Sequence, residues 1–144
     1  MNYTIYDAGT GEILNVFYTN DATTQAEYLV GKTYIEGSFS GKDYYVENAQ
    51  AVAKPVKPIG INQYTFDYAT KSWIIDLTAT TNQVKLIRNN LLASNIDKVN
   101  PIWYASLSAD QQTELQNYRQ LLLDIPQQPG YPIDVVWPEK PNWL

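Results

Sequence analysis

Residues 117–144, NYRQLLLDIPQQPGYPIDVVWPEKPNWL, decide how this chain is read. A helical stretch carrying Tyr118 and Arg119 runs into Pro126, and a proline-punctuated tail follows. Five of the chain's eight prolines lie between Pro126 and Pro141, beside Trp137 and Trp143. Proline has no N–H and a fixed φ, so this tail is neither a long helix nor a central strand. Its large apolar groups must lie on something, either the body of the protein or a partner. Pro129-Gly130 predicts a type II turn. That turn folds Tyr131–Trp137 back along the helices.

The segment before the tail has a clear start signal. Ser108-Ala109-Asp110-Gln111 is a capping-box pattern, with Asp110 well placed at the positive end of a helix. Leu115, Tyr118, Leu122 and Ile125 form one stripe, widened by Leu121, so a helix is predicted over Ala109–Asp124. Upstream, Val84, Ile87, Leu91, Leu92, Ser94 and Ile96 recur at about 3.6-residue spacing, predicting a helix from Thr81 to Ile96. Pro101 then breaks the chain. Two helices with a short connection bearing Trp103 predict an αα-hairpin. Arg119 is the only charge between Glu114 and Asp124. It is either a solvated cation or a guanidinium that clamps the returning tail's carbonyls or stacks on Trp137 or Tyr131.

Before residue 78 the period is that of strands. Tyr3–Tyr6 and Glu12–Tyr18 flank Asp7-Ala8-Gly9-Thr10-Gly11, a turn sequence, and predict a β-hairpin. Thr23–Val30 reads as a short helix ended by Gly31. Lys32–Ile35 and Lys42–Val46 read as short strands around the Gly37/Gly41 loop. Ala51–Pro58 reads as an extended connector because of its two closely spaced prolines. The segment Phe66-Asp67-Tyr68-Ala69-Thr70 repeats the spacing of Tyr6-Asp7-Ala8-Gly9-Thr10. In each, an aspartate carboxylate accepts N–H groups across a tight turn and a threonine hydroxyl adds a local bond. That reading accounts for both aspartates more simply than a pair of catalytic carboxylates does.

Composition bounds the chemistry. The chain has 144 residues, 44% of them hydrophobic and 17% charged, which suits one domain or a small domain with an appendage. Net charge is −5, which reads against nonspecific nucleic-acid binding. Cysteine and histidine are both absent, which removes disulfides, thiolate metal sites, the usual zinc ligands and the commonest general base. No segment has the run of about 20 apolar residues that spans a bilayer. MNYTIYDAG does not read as a secretory signal. The expectation is a soluble, intracellular protein without cofactor or metal. The glycine-rich pieces Gly9–Gly11 and Gly37–Gly41 lack the Lys-Ser/Thr helix of a phosphate loop. Twelve tyrosines, most of them in the front half, suit half-buried strands, or less simply a sugar-stacking surface.

The C-terminal part resembles the tail assembly chaperone and tail-fibre assembly proteins of tailed bacteriophages. The resemblance is carried by Arg88, Leu91 and Leu92; by Tyr118, Arg119 and Gln120; by Ile125, Pro126, Gln128, Pro129, Gly130, Tyr131 and Pro132; and by Trp137 with Pro138. It covers roughly residues 84–141. Tyr131 stands where the family more often has Phe, and Asn95-Ile96 where it often has Asp-Trp. The resemblance implies a non-enzymatic helper that binds a tail or tail-fibre protein in the host cytoplasm during infection and assists its folding or assembly. Rival readings are a permanent virion component of the fibre tip or baseplate, and a carbohydrate-binding module. Partner binding or tail anchoring is expected at Tyr118, Arg119, Pro129, Gly130, Tyr131, Pro132, Trp137 and Pro138. The fold expected is α+β: a small antiparallel β-rich part over residues 1–78, then a helical hairpin with a folded-back proline-rich tail over 79–144. Variability of the front halves of such proteins points to that half as the selector of the partner.

Overall fold

A computed structural model describes residues 1–144. Asn2–Tyr6 (β1) and Ile13–Tyr18 (β2) pair antiparallel around the Asp7–Gly11 turn. The other edge of β1 takes Tyr34–Glu36 (β3), also antiparallel, giving the order β2-β1-β3. Between β2 and β3 lies Ala22–Leu29 (α1). Asp21 starts this helix by accepting the Thr24 N–H at 2.7 Å. The helix buries Leu29 with Tyr3 and Ile5, and Tyr28 stacks on Phe17 with ring centroids 3.9 Å apart.

Two further hairpins follow. Tyr44–Glu47 (β4) pairs with Gln50–Ala53 (β5) across Asn48-Ala49, both at positive φ, as a two-residue hairpin loop requires. The expected connector over Ala51–Pro58 is therefore partly strand. Its first residues complete a ladder with β4, and only from Pro55, where proline cannot donate to a ladder, does the chain run free. Tyr64–Asp67 (β6) pairs with Ser72–Ile75 (β7).

Both aspartate turns form as the sequence predicts. Asp7 Oδ1 accepts the N–H groups of Gly9 and Thr10 at 2.9 and 2.7 Å and the Thr10 hydroxyl at 3.0 Å. Asp67 accepts the Ala69 N–H at 3.0 Å and the Thr70 hydroxyl at 2.7 Å. Gly11 has φ of 79° and lies so close to β4 that a Cβ there would come within 2.1 Å of the Val46 carbonyl oxygen. Only glycine fits.

Aromatic side chains of this part pack around a lysine. The Lys54 ammonium sits 4.6 Å from the Phe66 ring centre and donates to the Gly41 carbonyl and the Tyr68 hydroxyl at 2.6 and 3.2 Å. Phe66 meets Tyr68 and Trp73 at interplanar angles of 83° and 71°. These are edge-to-face contacts.

Contacts divide the chain into two compact units. One contains Met1–Pro58 and Thr65–Ile74; the other contains Ile59–Tyr64 and Ile75–Leu144. Residues 59–64 belong with the second unit because the Gln63 N–H donates to the buried Thr80 hydroxyl at 2.9 Å, and Gln63 O accepts the Asp76 N–H at 2.9 Å.

The second unit is helical. Leu77–Asn95 (α2) starts earlier than the expected Thr81 because Asp76 caps it, accepting the Ala79 N–H at 2.9 Å. The connection expected after Pro101 is itself a helix, Pro101–Ser106 (α3), with Asn100 as cap and Pro101 in its first turn. Ala109–Leu123 (α4) carries the full reciprocal capping box of Ser108 and Gln111. Val84, Ile96, Leu115, Tyr118, Leu122 and Ile125 are buried together as its core. Leu121, expected to widen the buried stripe, is 55% exposed. The chain is thus α+β, with the sheets and the short α1 first and the longer helices after. No helix is long and apolar enough to cross a membrane.

The turn geometry carries a pH signature. Hydrogen bonds from the Thr10 backbone and hydroxyl hold the Asp7 carboxyl below its ordinary value of 3.8, and the Thr70 hydroxyl with the Ala69 N–H does the same for Asp67. A lowered folded pKa gives stability that is complete above the ordinary value and lost as pH falls through the folded one. The thermal midpoint should therefore drop between about pH 5 and about pH 2, and Asp7→Asn with Asp67→Asn should flatten that drop. A double variant whose midpoint falls as steeply as the parent's would show that the turns play no part.

Candidate functional site

The site begins where α4 ends. Pro126 stops the α-helix, and Ile125–Gln127 continues as one turn of 3-10 helix. Leu122 and Ile125 on this junction have no solvent exposure. The tail then reverses. The Tyr131 N–H donates to Gln128 O at 3.0 Å, closing a turn with Pro129 and Gly130 at its centre. The expected type II turn is corrected in one respect: Gly130 is not among the glycines at positive φ, which that type requires. Glycine is needed there for proximity. A Cβ on Gly130 would come within 2.4 Å of the Asp134 carbonyl oxygen, and the Asp134 N–H donates to Gly130 O at 2.7 Å. The Tyr131–Pro132 peptide is cis.

One side chain clasps the reversed tail. The Gln128 amide donates to Val136 O and accepts the Val136 N–H, each at 2.8 Å. A primary amide satisfies both groups of one peptide unit in the way a neighbouring strand does. Beyond the clasp, Tyr131, Val135, Trp137, Trp143 and Leu144 pack against the helical core. Trp143 also lies beside Trp103, with ring centroids 6.3 Å apart, and its indole N–H donates to the Glu114 carboxylate. The last two prolines shape the chain end, where the Leu144 N–H donates to Pro141 O at 3.1 Å.

The expected site residues thus divide. Tyr118, Tyr131 and Trp137 lie in or against the core, and burial raises the Tyr118 phenol above its ordinary value. Pro132 and Pro138 are half-buried, and Pro129 is exposed at the turn. Arg119 stands apart. It is exposed and lines a small cavity with Ile96, Val99, Tyr104, Leu115 and Gln116. The hydrogen bonds that hold the tail come from Gln128 and Trp143, and none comes from Arg119. Gln128 carries no sequence signal for this role, since its partner lies eight residues on with no periodic relation to it. No group of three or more carboxylates comes together that could hold a metal ion.

Between α4 and the chain end lies an open groove of about 460 Å³, lined by Glu114, Tyr118, Leu121, Lys140, Pro141 and Trp143 among others. It accounts for the exposure of Leu121.

Two substitutions in the tail should act in opposite directions. The Tyr131 hydroxyl is buried without a hydrogen-bond partner. Tyr131→Phe should therefore raise stability by about 1 kcal/mol, since it removes an unsatisfied polar group and keeps the ring. Gln128→Ala removes both bonds of the clasp and should lower stability by about 1–2 kcal/mol. Denaturant midpoints measure both. A destabilised Tyr131→Phe, or an unchanged Gln128→Ala, would contradict this description of the tail.

Comparison with known proteins agrees with this part of the molecule. The family described as phage tail assembly chaperone protein matches residues 81–142. No curated protein and no solved structure matches the chain. The matched segment takes in most of α2, then α3, α4, the Gln128 clasp and the tail as far as Asn142. The likeness to the phage tail assembly chaperone family thus rests on residues 81–142, a little under half of the chain.

Proposed function

We propose that this protein binds a tail or tail-fibre protein of its phage and assists that protein's folding or assembly, in the host cytoplasm during infection. The observation that carries the reading is the family match over residues 81–142, which coincides with a helical unit whose tail is folded onto its own core. The role is non-enzymatic: a chaperone of this kind acts by mass action. By binding an assembly-competent state it lowers the population of chains with exposed apolar surface and unpaired strand edges, which are those that aggregate.

Division of labour follows the two parts of the chain. The helical part, residues 79–144, supplies the grip common to the family. The tyrosine-rich part, residues 1–78, selects the partner. The exposed row Leu14, Val16 and Tyr18 on β2 supports this, since one face of that strand offers apolar side chains to an extended segment. Among the site residues, Arg119 and Pro129 are exposed and available to a partner. Tyr118, Gly130, Tyr131, Pro132, Trp137 and Pro138 shape the surface from beneath or alongside.

Co-expression with the tail and tail-fibre proteins encoded beside it is the test. A soluble complex with one of them, and more soluble partner with the chaperone than without, is the expected result. Absence of any complex would refute the role. Stoichiometric recovery in purified virions would instead favour a permanent structural component.

A further inference from the structure

The cavity beside Arg119 has a largely apolar lining. Its inner residues, Ile96 and Leu115, are 8% and 4% exposed, and Val99 and Tyr104 line it further. Gln116, also in the lining, is fixed by donating to the Tyr104 hydroxyl at 2.6 Å. The volume is about 240 Å³. Small-molecule sites run from about 300 to 1,000 Å³, so this one suits a single apolar side chain rather than a whole metabolite.

The charge in its lining is unmatched within the molecule. Arg119 follows Leu115 by one helical turn and is exposed. The nearest carboxylates along its own helix are engaged elsewhere: Glu114 accepts the Trp143 indole N–H, and Asp124 accepts the Gln120 amide at 2.9 Å. At the end of the chain, the Leu144 main-chain oxygen accepts from the Lys140 ammonium. In a chain of net charge −5 with only two arginines, an unpaired guanidinium beside an apolar pocket complements a carboxylate. Arginine's planar fork matches carboxylate geometry, and a partly desolvated pair of this kind is directional.

We propose that this pocket receives an apolar side chain of the tail protein, and that a carboxylate next to that side chain pairs with Arg119. The inference rests on the chaperone reading for the identity of the partner, and on the pocket alone for its chemistry. An aliphatic or aromatic residue adjacent to Asp or Glu, or an apolar residue at a C-terminus, has the required form.

The probe is 3-phenylpropanoate, compared with its uncharged amide, titrated into the isotope-labelled full chain by NMR. The acid should shift the methyl signals of Ile96, Val99 and Leu115 together with the Arg119 side-chain N–H. It should bind about tenfold more tightly than the amide, the size of one charge-assisted contact. Arg119→Gln, at an exposed position, should equalise the two. Equal binding of acid and amide to the parent, a preference that survives Arg119→Gln, or shifts that fall on other residues would overturn the proposal. Capture of the co-expressed tail protein separates the two levels. Weaker capture by Arg119→Gln supports the pocket, and undiminished capture overturns it while leaving the chaperone reading intact. If the parent captures no tail protein, the chaperone reading fails, and the acid-against-amide comparison still decides the pocket.

Discussion

Burial of Leu122 and Ile125 is the constraint on which the helical unit depends. Both side chains are wholly inaccessible although they sit at the very end of a helix, where chains ordinarily fray. Helices α2 and α4 alone do not supply the whole of that cover. The tail contributes Tyr131, Val135, Trp137, Trp143 and Leu144 to the same cluster. Fully burying a side chain of this size is worth about 1.5–3 kcal/mol, so even partial burial of several is large against the stability of a small unit. The prolines make the reversal possible at low entropic cost, because their φ is already restricted in the unfolded chain.

Much of this was legible from residues and some was not, and the division is physical. Helix α4 could be read because its start, stripe and stop are all local: Ser108 with Gln111, the Leu115/Tyr118/Leu122 spacing, and Pro126. The Asp7 and Asp67 turns were legible for the same reason. The tail could be read as a strip that must be covered, but the means of covering it could not. The Gln128 clasp joins groups that no periodicity relates. The function of Gly130 depends on a backbone approach by Asp134 that turn statistics do not contain. Strand β5 was hidden by the prolines that follow it, and the start of α2 by a cap that precedes the apolar period by more than a turn.

The packed tail also redirects the functional account. Tyr131, Val135, Trp137, Trp143 and Leu144 of the tail pack within the molecule, whereas Ile133 and Val136 stay exposed. Among the features that remain outside are Arg119 at its pocket, the groove along Leu121 and Trp143, and the apolar row of β2.

Hydrogen exchange along α4 in a chain ending at Gln127 tests most directly the claim that the tail completes the helical core. Amides of Leu115–Leu122 should lose protection by more than about a hundredfold relative to the full chain, equivalent to roughly 3 kcal/mol of cover removed. Unchanged protection in the shortened chain would mean that the helices hold their core alone, and that the tail lies on the molecule without supporting it.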